Sequence, residues 1–299
     1  MKIAYLSCSV MLPDSPDRRS DGYEHDLMIA ALAPPLREYG LVVEVVDWAD
    51  AAIDWHQYQA AIIGTTWDYW DHKDEFLATL RQIERAITLY NPAGLVQWNS
   101  HKSYLKQLAD QGARLIPTLW LDDASQTRAA AAFDQLGSDD LVFKRQVGAG
   151  ASGQYRLQRG DPIPPMPHAM MVQPFVPQIL AEGEFSFIFI EGEFCHALLK
   201  KAQPGDYRIQ STYGGYEVEI SPSADDLADA QAIMATLAAQ PLYARVDMIR
   251  ENDGRLLLME LELIEPYLYP QQGPELGDRL ARAIATRLDL RKSASFDAK

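Results

Sequence analysis

The sequence predicts an α/β protein in which a parallel layer near the N-terminus is followed by a largely antiparallel α+β region. Three observations carry this. Apolar strand-like runs alternate with helical patterns as far as Tyr90, as parallel strands joined by crossover helices require. From Met170 the character changes to strand-like runs joined by turns. The 299 residues, 47% hydrophobic and 23% charged, are enough for about two folded domains and unlike a disordered or fibrous chain.

Taken in order, residues 2–7 form an apolar run that reads as a strand, followed by a polar loop and a helical pattern over 23–39 that Gly40 closes. Strands are expected over 41–48 and 59–64, a helix over 72–87, and a short strand over 88–90 before the Asn91-Pro92 break. A ligand surface belongs beyond the carboxyl ends of such strands, at residues 7–9 and at Gly64, Thr65, Thr66, Trp67, Asp68 and Tyr69. A further helical pattern covers 102–110, residues 129–132 read as plain helix, and four prolines over 162–167 mark an extended connector. Strands follow over 171–176, 185–190, 195–199 and 242–249, no internal repeat is present, and 291–299 reads as a frayed tail.

Lys and Arg number 27 against 42 Asp and Glu, a net charge of -15, which disfavours nucleic acid or anionic lipid as partners. An anionic ligand would need a local cluster of cations or a metal. Cys8 and Cys195 cannot build a disulfide framework, and the chain begins directly in a strand-like run, so a cytoplasmic location is expected. No apolar run approaches the roughly 20 residues that cross a bilayer.

The most informative stretch is 243–266. Two strand-like runs flank Glu251-Asn252-Asp253-Gly254, and Asp-Gly between such runs signals a two-residue hairpin turn. Pairing outward from Asn252 and Arg255 places Asp247 opposite Glu260 and Arg245 opposite Glu262, all on one face. The other face would carry Ala244, Val246 and Met248 opposite Leu263, Leu261 and Met259. Facing carboxylates destabilise a sheet unless something neutralises them. A divalent cation would do so, because magnesium takes a few carboxylates and leaves its other positions to water and phosphate. A solvated face with an Arg245 to Glu262 ion pair fits the same alternation.

Upstream, Gly148-Ala149-Gly150-Ala151-Ser152-Gly153 formally matches GxGxxG. Strand-like runs lie on both sides of it, so it reads as a flap between strands and not as the strand-to-helix turn of a dinucleotide fold. Small residues let backbone N–H groups wrap phosphate oxygens, and Lys144 immediately before the flap would add a compact cation. A loose glycine turn is the plain alternative. The same context removes a nicotinamide dehydrogenase. A kinase is removed because Lys144 precedes the flap and neither HRD nor DFG occurs, and Ser-His-Asp and zinc hydrolases because GxSxG and HExxH are absent.

The order Asn99, His101, Lys102, Phe143-Lys144, the flap, Gln173-Pro174-Phe175-Val176, Gly183-Glu184, Lys200, Arg208, Arg245-Val246-Asp247 and Glu260-Leu261-Glu262 resembles the ATP-grasp superfamily of ligases, especially its glutathione-synthetase-like branch. The resemblance covers about 99–266. It implies an N-terminal α/β domain over 1–98 and a two-lobed ATP-grasp domain over 99–290, with lobes of about 99–171 and 172–290. It implies that Lys102 and Lys144 hold the phosphates of ATP under a flap of Gly148, Gly150, Ala151, Ser152 and Gly153. Gln173, Phe175 and Val176 would meet adenine, and Glu184 the ribose. Asp247, Glu260 and Glu262 would bind Mg2+, and Lys200, Arg208 and Arg245 would stabilise the transferred phosphoryl group. Many members carry Asn where Glu262 stands, so the metal site here would be more acidic.

Thr66, Trp67, Asp68 and Tyr69, and separately Gly214 and Gly215, are candidates for contact with a small amino-acid-like substrate. Through Thr66-Trp67-Asp68-Tyr69-Trp70, Gly205-Asp206-Tyr207-Arg208 and the Glu260 to Pro266 ending, the chain also resembles the D-cycloserine synthetase type. That resemblance implies activation of a carboxylate as an acyl phosphate and C–N bond formation, with ring closure of O-ureido-D-serine as one form. A dipeptide or glutathione-type ligase, a nucleotide-binding regulator without turnover, and assembly as a homo-oligomer stay open.

Overall fold

The computed structural model describes residues 1–292; most of the expected tail, 293–299, lies outside the described residues. The first layer comprises β1 (Lys2–Ser7), α1 (Gly22–Glu38), β2 (Val42–Asp47), β3 (Ala60–Ile63), α2 (Lys73–Ala86) and β4 (Thr88–Tyr90). Its strands are all parallel, in the order β2-β1-β3-β4. Each of these elements falls within one residue of its expected ends, because apolar periodicity and Gly or Pro punctuation coincide there.

The Asn91-Pro92 break opens a helix that the pattern did not predict, α3 (Ala93–Asn99), with Pro92 at its N-cap. After α4 (Tyr104–Asp110), β5 (Leu119–Leu121), α5 (Gln126–Leu136), β6 (Asp140–Arg145), β7 (Tyr155–Gln158) and β8 (Met170–Pro174) build an antiparallel sheet of order β5-β8-β6-β7. The proline segment before β8 carries no helix or strand. Then α6 (Gln178–Ala181), β9 (Glu184–Ile190), β10 (Glu193–Lys201), β11 (Tyr216–Ile220), α7 (Ala224–Met234), β12 (Tyr243–Arg250) and β13 (Leu256–Glu262) follow. They form a second antiparallel sheet, β11-β10-β9-β12-β13, and α8 (Leu276–Arg287) closes the described chain. Neither β11, α7 nor α8 was among the expected elements. No described helix is long and apolar enough to cross a membrane.

One face of the first layer packs on its own α2, through Leu6, Trp48, Phe76, Leu80 and Ile83, and the other face is shared with the rest of the chain. One hydrophobic cluster joins Ile3, Tyr5, Leu32 and Leu36 to Ile188, Ile190, Tyr243, Leu280 and Ile284, so α1 packs on α8 and on the five-stranded sheet. Two asparagines bind the junction. Asn91 Nδ2 donates to Tyr243 O at 3.0 Å and Leu263 O at 2.8 Å, and its Oδ1 accepts from Leu242 N at 2.7 Å. Asn99 donates to Leu261 O at 2.8 Å and accepts from Leu263 N at 3.0 Å. With Tyr104 Oη accepting from Leu261 N at 2.9 Å, they satisfy the outer edge of β13 and fix it in place.

The β12-β13 hairpin keeps the expected partners at the site by a different route. Asp247 pairs with Glu260, Val246 with Leu261 and Arg245 with Glu262. The turn, however, is not the expected two-residue one. Glu251 N donates to Arg255 O at 2.9 Å, so Asn252, Asp253 and Gly254 form the loop, with Gly254 at φ 85°. This three-residue connection shifts the pairing near the turn by one residue, and Met248 faces Leu258. A bulge between Asp247 and Met248 restores the register beyond it. Met259 therefore leaves the core face where it was expected and lines the cleft, while Ala244, Val246, Met248, Leu261 and Leu263 stay buried beneath the sheet.

Candidate active site

A cleft of about 250 Å³ lies where the two antiparallel sheets and the first layer meet. The strand positions explain who lines it. On β6, Leu141 and Phe143 point into the core while Val142 and Lys144 face the cleft, as strand alternation dictates. On β9 and β10, Glu184 is the register partner of Lys200, and Ser186 is that of Asp247 across β9 and β12.

The charged groups form one interlocked set. Lys200 Nζ lies 2.6 Å from Glu184 Oε1 and 3.2 Å from Asp247 Oδ1. Arg245 donates to both oxygens of Asp247 at 2.9–3.1 Å, to Tyr267 O at 3.0 Å, and to Glu262. Lys102 pairs with Glu260, and Ser186 donates to Asp247. Burial would raise the Asp247 carboxyl, but Arg245 and Lys200 outweigh it and hold it down at about 2. The same burial lifts Glu262 to about 7 in spite of Arg245, since Asp247 and Glu260 repel its charge. Glu184 is also raised, chiefly by burial.

Lys144 differs from the other cations. Burial pushes its ammonium below the ordinary value, partly offset by Glu260, and no carboxylate among the described residues lies within ion-pairing distance of it. Gln173 presents a second orphan: Nε2 donates to Thr118 at 2.9 Å, while the buried Oε1 has no partner among the described residues. Beside it Phe175, Val176, Ile179, Ile249 and Met259 make an apolar wall. An unfilled acceptor on an apolar slot at one end and an unpaired cation at the other fit a purine nucleotide with its phosphates.

The flap borders the same cleft as this cation. Gly148, Ala149, Gly150, Ala151 and Ser152 line the cleft, and Gly150, Ala151 and Gly153 take left-handed backbone conformations with φ of 58–66°. No three His, Cys, Asp or Glu among the described residues are grouped as a ready-made metal cage. Asp247 is engaged from several sides, whereas Glu260 and Glu262 are 34% and 23% exposed. These hard oxygen donors suit magnesium, which commonly binds through one or two carboxylates and the phosphates it accompanies.

Placement of the remaining expected residues is uneven. Arg208 lines the cleft, held by Asp206 at 2.7–3.1 Å and laid over the Tyr213 ring at 3.6 Å. Trp67 lines the cleft, and its Nε1 donates to Glu265 O at 2.9 Å. Thr66 is buried with its hydroxyl unpartnered, Asp68 accepts from Trp48 at 2.8 Å, and Tyr69 packs in the core against Phe76. Gly214 and Gly215 do not line the cleft; a Cβ at Gly215 would come 2.0 Å from Ile209 O, so it serves the loop's own packing. Trp70, within the expected Gly64 to Trp70 stretch, lines the cleft, and the sequence reading missed Arg19, Glu217, Glu265, Tyr267 and Tyr269, which line it too. Only the Glu-Pro-Tyr-Leu-Tyr run after the hairpin offered a signal for the last three.

With this geometry in place, comparison with known proteins is informative. The family described as "D-cycloserine synthetase DcsG, N-terminal domain" matches residues 3–91. The cycloserine biosynthesis protein DcsG of Streptomyces lavendulae is 30% identical over 279 residues, covering 85% of this chain and 93% of that protein. This chain belongs to the D-cycloserine synthetase family of ATP-grasp ligases. The crystal structure of D-cycloserine synthetase DcsG superposes with a TM-score of 0.80 at 25% identity, over 96% of this chain and all of that one. D-alanine–D-alanine ligase of Bacillus anthracis complexed with ATP has the same fold, with a TM-score of 0.64 at 15% identity over 97% and 98% of the two chains. So does the ATP-grasp ligase PsnB complexed with Mg and ADP, at 0.61 and 16% over 96% and 98%. Family membership makes the protein an enzyme, an ATP-dependent ligase.

Proposed function

We propose that this ligase uses ATP and Mg2+ to activate the carboxylate of a small amino-acid-like substrate as an acyl phosphate, which an amine then displaces to form a C–N bond. The observation that carries the reading is the meeting of Lys102, Lys144, Lys200 and Arg245 in one cleft, under a small-residue flap, in a protein of net charge -15. A carboxylate is a poor electrophile. Transfer of the γ-phosphoryl group to its oxygen converts that oxygen into a leaving group and releases ADP. Attack by nitrogen then expels phosphate.

The protein's share is positional and electrostatic. Lys144 and Lys102 would hold phosphates, the flap would exclude water, and Gln173 with its apolar neighbours would fix the base. Glu184, buried and clamped by Lys200, would accept from a ribose hydroxyl. Glu260 and Glu262, with Asp247 behind them, would hold magnesium, which supplies charge neutralisation at the phosphates. Lys200 and Arg245 would face the transferred group once nucleotide and metal draw the carboxylates away. Trp67 and Tyr267 would flank the acceptor.

Within this reading, family membership favours the ring closure of O-ureido-D-serine. An ADP-release screen over amino acids, O-ureido-D-serine and dipeptide precursors tests it. Asp247→Asn and Glu260→Gln should abolish turnover while leaving the circular dichroism spectrum unchanged. Full ADP release from both variants would refute the assignment.

A further inference from the structure

Arg145 is the last residue of β6 and the root of the flap, one position beyond Lys144. Both ends of the flap rest on its side chain. A Cβ at Gly148 would meet Arg145 Cβ at 3.3 Å, and one at Gly153 would meet Cδ at 2.9 Å. At its far end Nη2 donates to Asp71 Oδ1 at 3.2 Å, in the first layer. The side chain is 12% exposed, and its buried Nε has no partner among the described residues. Asp71 directly follows Trp70, which lines the acceptor end of the cleft together with Trp67.

The flap has little else to fix it. Its own backbone bonds are short-range turns, Ser152 N to Ala149 O at 3.1 Å and Gln154 N to Ala151 O at 3.2 Å. On the opposite flank Gln154 Nε2 donates to Tyr207 Oη at 3.2 Å. A loop of small residues with left-handed backbone has many conformations of similar energy, so a side chain wedged beneath both of its ends selects among them. We propose that Arg145 is a positioning residue and that its pairing with Asp71 latches the flap to the first layer in the closed position. This rests on the nucleotide reading of the flap.

Asp71 is 59% exposed, so its substitution leaves the core untouched and the variants fold. The test is amide hydrogen exchange of residues 147–154 in the nucleotide-free protein, alongside calorimetric titration with Mg-ADP. Asp71→Ala and Asp71→Asn should speed flap exchange about threefold to fivefold, the scale a half-exposed ion pair supplies, and weaken Mg-ADP to a similar degree. Asp71→Glu should restore both, and β1 and β9 amides should not change. Flap exchange unaltered in the Ala and Asn variants, or accelerated equally throughout the molecule, would overturn the latch. If the wild-type protein binds no Mg-ADP, the nucleotide reading fails, and the exchange data still decide whether Asp71 holds the flap.

Discussion

At the scale of single residues, the cleft is a set of charges that neutralise one another until a ligand arrives. Asp247 is held by Arg245, Lys200 and Ser186, Glu260 by Lys102, Glu262 by Arg245 and Glu184 by Lys200, which accounts for four acids tolerated together in one sheet. Lys144 stands apart, desolvated and without a carboxylate partner. Lys144→Ala should therefore weaken Mg-ATP binding by about 10- to 100-fold in calorimetry, the range of one charged hydrogen bond, with no loss of stability. Unchanged affinity would remove it from the phosphate site. Lys102, paired with Glu260, should show a smaller effect on binding than on turnover.

The hairpin is the element on which the site depends, and its sequence was read correctly for a partly wrong reason. Asp253-Gly254 announces a turn, but it does not reveal whether two or three residues form the loop. The extra loop residue and the bulge at Met259 offset each other, so the pairing of Asp247 with Glu260 was legible although the pairing near the turn was not. Gly254 sits at φ 85° with nothing near the position of a Cβ. Gly254→Ala should cost about 1 kcal/mol by urea unfolding, wholly from the backbone, with activity retained. Deleting Met259, the extra residue of the bulge, should leave Glu260 opposite Asp247 and Glu262 opposite Arg245, so the protein should keep its near-UV circular dichroism and lose only one apolar side chain from the cleft wall.

For the whole molecule, one face of the first layer shares its core with the five-stranded sheet and α8, while the other face packs on α2. Since β1 and α1 pack against β9, β12 and α8, residues 1–98 expressed alone should lack a cooperative unfolding transition, while the full chain should show one. Acid stability belongs to this scale as well. Burial lowers His196 to about 4 and also depresses His25. These imidazoles are neutral when folded and bind protons more readily when unfolded, so their contribution to stability is complete above about pH 6.5 and is lost as pH drops toward 4. His196 alone contributes on the order of 2–3 kcal/mol to that fall, measurable as a pH-dependent urea midpoint that flattens in His196→Gln.

The sequence by itself determined the alternating parallel layer, the flap between strands and the acidic face of the hairpin, because each is written in local periodicity and turn chemistry. Only the tertiary structure decided which residues join Trp67 in lining the cleft. Arg19, Glu217 and the segment that carries Glu265 and Tyr267 come from separate parts of the chain that no local pattern links. It also decided that Thr66, Asp68 and Tyr69 turn inward while Trp67 faces the cleft, since orientation in an irregular loop follows from what packs against it and not from residue type.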